Sequence, residues 1–251
     1  MRSLLQVPLL DENRIDEALS SKADAICLDW ASVGEQPDQS KALGLVKYAL
    51  ARRSAQETTA RVFLRIHPMP SLKVDRDLDA LIPFRPDGLF LPECETERSI
   101  KALSVRLEAQ EAIVGLAKAS IKIIASVADT PASVFGLQGY DAESDRLVAM
   151  TWNAQKLADD LNLRQSETHR STMLSSPIQL ARSLCVLAAS SAGVPALDTI
   201  LDNPADETGF ERETSTALRD GFSGKMATHP KQVPIINKIF ADRHNGQKSE
   251  F

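Results

Sequence analysis

The chain has 251 residues, of which 43% are hydrophobic and 25% are charged. This composition supplies one large core, and the length is that of a one-domain α/β barrel. The formal net charge is −5, and acidic and basic residues are interleaved, so we expect no nucleic-acid partner and no anionic membrane surface. Three widely spaced cysteines without C-x-x-C spacing argue against a disulfide framework or a zinc site. With no apolar run of membrane length and no signal-like start, we expect a cytoplasmic protein.

Short apolar runs, typical of buried parallel strands, alternate with amphipathic stretches typical of helices. The predicted strands are residues 4–7, 25–28, 62–66, 88–91, 121–127, 147–151, 194–197 and 225–228. The predicted helices are residues 12–20, 41–53, 95–108, 154–161, 178–192, 207–220 and 232–241. Eight strands close a barrel, so we predict a single-domain (β/α)8 TIM barrel over residues 1–251. Residues 162–176 form a predicted polar loop on the active-site side, and residues 243–251 a frayed tail.

Polar side chains follow these apolar runs at the barrel end where such enzymes carry their chemistry. Arg65 ends the third run, and its planar guanidinium suits either a bidentate grip on a carboxylate or an ion pair that closes the barrel mouth. Asp29, Asp129 and Asp198 follow other runs, where each is either a pocket carboxylate or a helix N-cap. Trp152 either lines the pocket or packs in the core.

Six segments resemble, in the same order, motifs of the citrate lyase β-subunit and HpcH/HpaI aldolase family. The most specific is residues 221–232, G-F-S-G-K-M-A-T-H-P-K-Q, which is similar to the family's G-F-x-G-K-x-x-I-H-P-x-Q. The other five are R-S-L-L-Q-V-P at 2–8, A-D-A-I-C-L-D at 23–29, L-R-I-H-P at 64–68, D-G-L-F-L-P at 87–92 and A-A-S-S-A-G-V-P-A-L-D at 188–198.

The resemblance implies a carbon–carbon lyase. Such an enzyme cleaves or forms a citryl-, malyl- or citramalyl-like thioester, whose products are an acetyl-type thioester and a keto acid such as oxaloacetate. It implies Mg²⁺ as cofactor, a coenzyme A thioester as substrate, and a homo-oligomer such as a trimer. Arg65 matches the family's substrate arginine, and Asp129, in A-D-T-P, stands where the family has a metal-binding Glu. A divalent cation chelated by a keto acid polarises its carbonyl, while the arginine fixes the carboxylate.

Four positions depart from the family pattern around the same pocket. Lys156 stands where the family has its second metal-binding Asp, and a protonated amine cannot ligate Mg²⁺. Glu93 replaces a lysine and His67 replaces an asparagine. Asp29 is followed by W-A-S in place of an acidic pair. These substitutions predict Mg²⁺ binding that is weak or absent.

Three functional hypotheses remain open. In the first, the chain is a divergent carbon–carbon lyase with Arg65 and Asp129 as surviving catalytic groups. In the second, Lys156 supplies the positive charge of the missing metal or acts as an amine nucleophile. In the third, the barrel binds a keto acid or acyl-coenzyme A without turnover, as a regulatory subunit. The predicted substrate-binding residues are Arg65, His67, Trp152 and Asp198, and Asp129 is the remaining candidate metal ligand.

Overall fold

The computed structural model describes residues 1–34, 37–55, 59–140, 145–163, 175–199 and 206–241. Most of the polar loop predicted at residues 162–176, and the whole tail at 243–251, lie outside these ranges. Within them, no helix has the length and apolar character needed to cross a membrane.

Eight parallel strands form one sheet that curls into a barrel, which confirms the predicted fold class. The order of strands in the sheet is β6-β5-β4-β3-β2-β1-β8-β7. A parallel bridge between Met150 and Ala196 joins the two outer strands and closes the ring. The strands are β1 Ser3–Pro8, β2 Ala25–Asp29, β3 Arg61–Arg65, β4 Gly88–Leu91, β5 Lys122–Ser126, β6 Leu147–Thr151, β7 Leu197–Asp198 and β8 Gly224–Ala227.

Helices connect successive strands and cover the outside of the barrel. They are α1 Glu12–Ser20, α2 Asp38–Ala55, α3 Leu72–Leu81, α4 Glu97–Ile113, α5 Pro131–Phe135, α6 Ala154–Asp160, α7 Ser176–Ser191, α8 Glu207–Arg219 and α9 Gln232–Ile239. The sequence prediction missed α3 and α5. The first is capped by the Ser71 side chain, which accepts from the Lys73 N–H, and the second by Thr130 in a capping box with Ser133.

Alternate residues of each strand face the inside and the outside of the barrel. Outward apolar residues pack against the helices in the larger of two core clusters. Inward residues form the smaller cluster: Leu4, Ala25, Cys27, Phe63, Phe90, Ile124, Ala149, Leu197 and Met226. These side chains fill the barrel axis below its mouth.

A buried ion pair stabilises the end of the barrel opposite the mouth. Arg146, just before β6, donates Nη1–H and Nη2–H to the two carboxylate oxygens of Glu111, each at 2.7 Å. Glu111 also accepts the N–H of Ile121 at 2.8 Å. Burial alone raises the pKa of Glu111, but the hydrogen bonds from Arg146 and Ile121 outweigh it, and the pKa lies below its usual value. The ionised pair therefore ties α4 to the starts of β5 and β6.

Glu111→Gln should lower the free energy of unfolding at pH 7 by about 3 kcal/mol, because it leaves the Arg146 charge buried without a partner. The pKa of Glu111 is lower in the folded state, so its contribution is present above the unfolded value of about 4.3 and is lost as the pH falls through the folded value. Urea unfolding between pH 7 and pH 3 should show a smaller loss of stability for the variant than for the parent.

The matched control is Glu108→Gln on the same helix. Glu108 pairs at 2.6 Å with Lys118, but both side chains are exposed, so the substitution should change stability by less than about 1 kcal/mol. Equal effects of the two substitutions would contradict the role assigned to the buried pair.

Gly224 begins β8 where the strand passes close to the start of β1. A Cβ at this position would lie 2.3 Å from the carbonyl oxygen of Arg2, and these backbone atoms cannot move without disturbing the sheet. We expect Gly224→Ala to destabilise the protein by about 1–3 kcal/mol through overpacking. The control is Gly44→Ala in α2, where nothing lies within 4 Å of the added Cβ, and a gain of about 0.5–1 kcal/mol is expected. Thermal unfolding of both variants measures these changes. A Gly224→Ala protein with the unfolding temperature of the parent would show that the strand tolerates a Cβ beside the Arg2 carbonyl.

Candidate active site

A cavity of about 110 Å³ opens at the carboxyl ends of the strands. In a parallel barrel, this is the end where the loops after each strand meet. The cavity brings together residues from seven of the eight strands or the loops that follow them. They are Gln6, Arg65, Phe90, Pro92, Glu93, Ser126, Asp129, Trp152, Asn153, Lys156, Thr199 and Met226.

Arg65 is the last residue of β3 and faces this cavity. Its Nη1–H donates to Oδ1 of Asp29, the last residue of the neighbouring strand β2, at 3.1 Å. The side chain of Gln6 donates to the other Asp29 oxygen at 3.3 Å. A guanidinium carries five donors, so one bond to Asp29 orients it and leaves capacity to bind a carboxylate.

Asp129 is a buried part of the cavity lining, with 1% of its surface exposed. Oδ2 accepts the backbone N–H of Glu93 at 3.0 Å, and Oδ1 accepts the hydroxyl of Ser126 at 2.8 Å. Thr130 caps the following helix, so Asp129 is not an N-cap. Burial raises the pKa of Asp129 to about 6, and the two hydrogen bonds limit the increase. This carboxyl group can therefore change its protonation near neutral pH.

Two non-glycine residues beside Asp129 adopt left-handed backbone conformations. Ala128, directly before it, has φ of 57°, and Glu93, which donates to it, has φ of 49°. Non-glycine residues rarely adopt this conformation, and such strain is concentrated at functional sites. The loops after β4 and β5 are thus held in unfavourable conformations where they meet at the carboxylate.

Lys156 approaches the cavity from the first turn of α6, which begins after the Asn153 cap. Its Nζ lies 2.5 Å from Oδ1 of Asp160 and 4.0 Å from Oε2 of Glu93. The hydrogen bond to Asp160 raises the pKa of Lys156 most, while partial burial opposes the increase and the charges of Glu93 and Asp129 add to it. The amine is therefore protonated at neutral pH and brings a positive charge to the mouth.

Trp152 lines the cavity, and Asp198 lies behind it. The indole Nε1–H of the buried Trp152 donates to Oδ1 of Asp198 at 2.8 Å. Asp198 is fully buried and accepts from Arg182 on α7 at 2.9 Å, and Lys225 of β8 lies 3.6 Å away. The Asp198 side chain thus points outward into the helix layer, and it contacts the cavity through Trp152.

His67 follows β3 by two residues. Its ring nitrogen Nδ1 lies 2.8 Å from Oδ2 of Asp77 on α3, and its backbone N–H donates to the same oxygen at 2.9 Å. Among the described residues, those that line the cavity include neither His67 nor Asp198.

The structure therefore brings together Arg65, Asp129, Lys156 and Trp152, four of the six predicted site residues. Sequence reasoning did not select Gln6, Ser126 or Thr199, although alternation along β1 and β5 would have placed the first two on the inner face. Within the part of the chain that the structure describes, no group of three or more His, Cys, Asp or Glu side chains is arranged to hold a metal ion.

Comparisons with known proteins agree on one family. The model of HpcH/HpaI aldolase/citrate lyase matches residues 2–230. The citrate lyase subunit beta of Leuconostoc mesenteroides subsp. cremoris is 26% identical over 240 residues, which cover 96% of this chain and 76% of that protein. A (3S)-malyl-CoA thioesterase of Cereibacter sphaeroides is 25% identical over 246 residues, which cover 96% and 77%.

A similar fold occurs in solved structures. The citrate lyase beta subunit from M. tuberculosis, complexed with oxaloacetate and magnesium, has a TM-score of 0.74 and 24% identity, and the match covers 95% of this chain and 96% of that one. A lead(II) complex of Haloferax volcanii malate synthase has a TM-score of 0.79 at 17% identity, with coverage of 95% and 72%. Because the family model spans nearly all of the sequence and the fold is the same, the chain belongs to the HpcH/HpaI aldolase/citrate lyase family.

Proposed function

We propose that this protein is a carbon–carbon lyase that cleaves or forms a citryl-, malyl- or citramalyl-like thioester. Its products in the cleavage direction are an acetyl-type coenzyme A thioester and a small keto acid such as oxaloacetate. The observation that carries this proposal is that Arg65, Asp129 and Lys156 line one cavity at the carboxyl ends of the strands, in a chain of this family. Relatives with solved structures bind oxaloacetate, and one binds acetoacetate with coenzyme A.

In this proposal, each of the three groups acts on a different part of the substrate or site. Arg65 binds the carboxylate of the keto acid through the donors that Asp29 does not use. The ammonium of Lys156 lies beside the keto oxygen and stabilises the negative charge that develops there as the carbon–carbon bond breaks. Asp160 binds this ammonium directly, and the charge of Asp129 adds to the field that favours it at the mouth. Trp152 lines the cavity with a buried apolar surface that excludes water.

Mg²⁺ does not fit the described site in the way that the family resemblance implies. Both oxygens of the surviving carboxylate, Asp129, already accept hydrogen bonds from the protein. The second ligand position carries Lys156, whose protonated amine repels a divalent cation. Glu93, the other cavity carboxylate, lies next to the same amine. No step of the proposed reaction is therefore assigned to a metal ion.

The protonation of Lys156 also discriminates between the two roles considered for it. A lysine nucleophile needs a free amine, which enzymes obtain by lowering the lysine pKa through burial or a neighbouring cation. Here the hydrogen bond to Asp160 raises the pKa instead. This supports an electrostatic role rather than a covalent one. The homo-oligomer that the resemblance implies remains a prediction.

Arg65→Ala should weaken oxaloacetate binding by about 2–4 kcal/mol, because it removes the charged partner of the carboxylate. Calorimetric titration measures this directly, and a coupled assay with acetyl-coenzyme A and oxaloacetate measures formation of the new bond. The control is Arg61→Ala, which removes an exposed arginine from the opposite end of the same strand and should leave both measurements unchanged. Unaltered binding in Arg65→Ala would refute the clamp. Oxaloacetate binding by the parent without any turnover would identify a non-catalytic, keto-acid-binding barrel.

Lys156→Asp should raise Mg²⁺ affinity by at least about tenfold, the change that corresponds to about 1.4 kcal/mol, because it replaces a repelling charge with a carboxylate ligand. Calorimetric titration with Mg²⁺, with and without oxaloacetate, measures the affinity. The control is Lys118→Asp, an equal charge change on an exposed lysine at the far end of the barrel, which should have no effect.

The competing explanation is that Asp159 or Asp160 moves in as a substitute ligand. In the structure, Asp159 accepts from Gln155 at 2.7 Å and Asp160 binds Lys156. If the parent binds Mg²⁺ with low-micromolar affinity, and Asp159→Ala and Asp160→Ala bind it equally well, then Lys156 does not exclude the metal ion.

A further inference from the structure

We propose that Glu93 selects the keto acid of this site, so that the preferred acid carries a single carboxylate and a small uncharged substituent on its keto carbon. This inference rests on the proposed lyase function and narrows its substrate class. Acids of the pyruvate class are then bound more tightly than dicarboxylic acids such as oxaloacetate. The observations that carry it are the place of the Glu93 carboxylate in the cavity and the number of cations that the cavity offers.

The described part of the cavity lining offers two cations, Arg65 and Lys156. In the proposed reaction, Arg65 binds the carboxylate next to the keto group, and Lys156 stabilises the negative charge that develops on the keto oxygen. Each of these cations already has an aspartate partner, at 3.1 Å from Arg65 and at 2.5 Å from Lys156. Neither cation is therefore left over for a second carboxylate on the substrate.

The strand order places Glu93 between the two cations around the mouth. Arg65 ends β3, Glu93 follows β4, and Lys156 follows β6. The Oε2 atom of Glu93 lies 4.0 Å from Nζ of Lys156, and the Glu93 side chain lines the cavity with 34% of its surface exposed. A keto acid that contacts both cations therefore lies beside this carboxylate.

The main chain fixes the position of Glu93. Its N–H donates to Oδ2 of the buried Asp129 at 3.0 Å, and its φ of 49° lies in the left-handed region that non-glycine residues rarely adopt. This hydrogen bond involves the backbone of Glu93 and not its carboxylate. Substitutions that keep a Cβ can therefore change the charge at position 93 while the loop stays attached to Asp129.

A second carboxylate on the substrate is opposed by Glu93 and lacks a cation of its own. Like charges repel strongly in a partly desolvated cavity, and a carboxylate that leaves water without a partner costs further free energy. A methyl group or a hydrogen atom in the same place avoids both costs. It also suits the apolar side chains of the lining, which include Phe90, Trp152 and Met226. Glu93 thus gives specificity by rejecting one class of substrate.

The test compares the affinities of pyruvate and oxaloacetate, measured by calorimetric titration of the parent, Glu93→Gln and Glu93→Lys. The parent should bind pyruvate at least about tenfold more tightly than oxaloacetate. Glu93→Gln removes the charge and keeps the size of the side chain, so this ratio should fall by about tenfold, mainly through tighter binding of oxaloacetate. Glu93→Lys supplies a third cation and should reverse the preference.

The matched control is Glu95→Gln, which removes the same charge from the same loop two residues further on. Glu95 is exposed, and the described cavity lining does not include it. Its substitution should leave the ratio of the two affinities unchanged. An equal change of the ratio in Glu95→Gln would assign the effect to the net charge of the protein and overturn the role of Glu93. Because both acids are titrated into the same protein, their ratio does not depend on the folded fraction.

Failure of this inference is distinct from failure of the proposed function. If the parent binds oxaloacetate at least as tightly as pyruvate, or if Glu93→Gln leaves the ratio unchanged, the inference is overturned. Formation of the carbon–carbon bond from acetyl-coenzyme A and either acid would then still support the lyase. If the parent prefers pyruvate because of Glu93 but forms no bond with either acid, the selection by Glu93 is supported and the lyase function is overturned. If the parent binds neither acid, both proposals are overturned.

Discussion

Closure of eight parallel strands places every residue of the site, because it brings the carboxyl ends of all the strands to one mouth while large apolar side chains fill the axis below. A single register then decides which residues face that mouth. Arg65, Ser126 and Met226 occupy inner positions, whereas Asp198 and Lys225 occupy outer ones and are used by the helix layer. A shift of one residue in any strand would exchange these two groups. The buried pair of Glu111 and Arg146 fixes the starts of two of the strands and so helps to hold that register at the closed end.

The charges at the mouth are arranged so that each cation has a carboxylate neighbour that orients it. Asp29 holds Arg65, and Asp160 holds Lys156, while Asp129 lies buried between the loops after β4 and β5. Carboxylates that are already bound by protein donors are poor ligands for a metal ion but good supports for ammonium and guanidinium groups. Two cations at the mouth favour the approach of an anionic ligand.

The sequence was sufficient for most of the fold but for only part of the site. The bounds of β4, β6 and α1 are as predicted because each is a plain apolar run or amphipathic stretch between polar residues. Helix α3 was missed although Ser71 and the apolar residues that follow it carry the signal of a capped helix. Asp77 could not have been selected at all. An aspartate on a charged helix looks like a surface residue until the fold buries it against Trp30 and His67.

The departures from the family pattern at positions 67 and 156 also differ in surroundings that the sequence alone does not reveal. His67 stands in place of an asparagine of the family pattern, and Lys156 in place of an aspartate. His67 is bonded to Asp77 on the neighbouring helix α3, and Lys156 to Asp160 on its own helix α6. The two aspartates differ in burial, since Asp77 lies in the core and Asp160 remains near solvent. A buried aspartate fixes the direction of its partner, and Asp77 in this way holds the imidazole of His67 against α3. A solvent-facing aspartate keeps its lysine charged and mobile, which suits stabilisation of a charge that appears only during the reaction. The imidazole of His67 is therefore fixed by the core and does not line the cavity, whereas Lys156 lines the cavity itself.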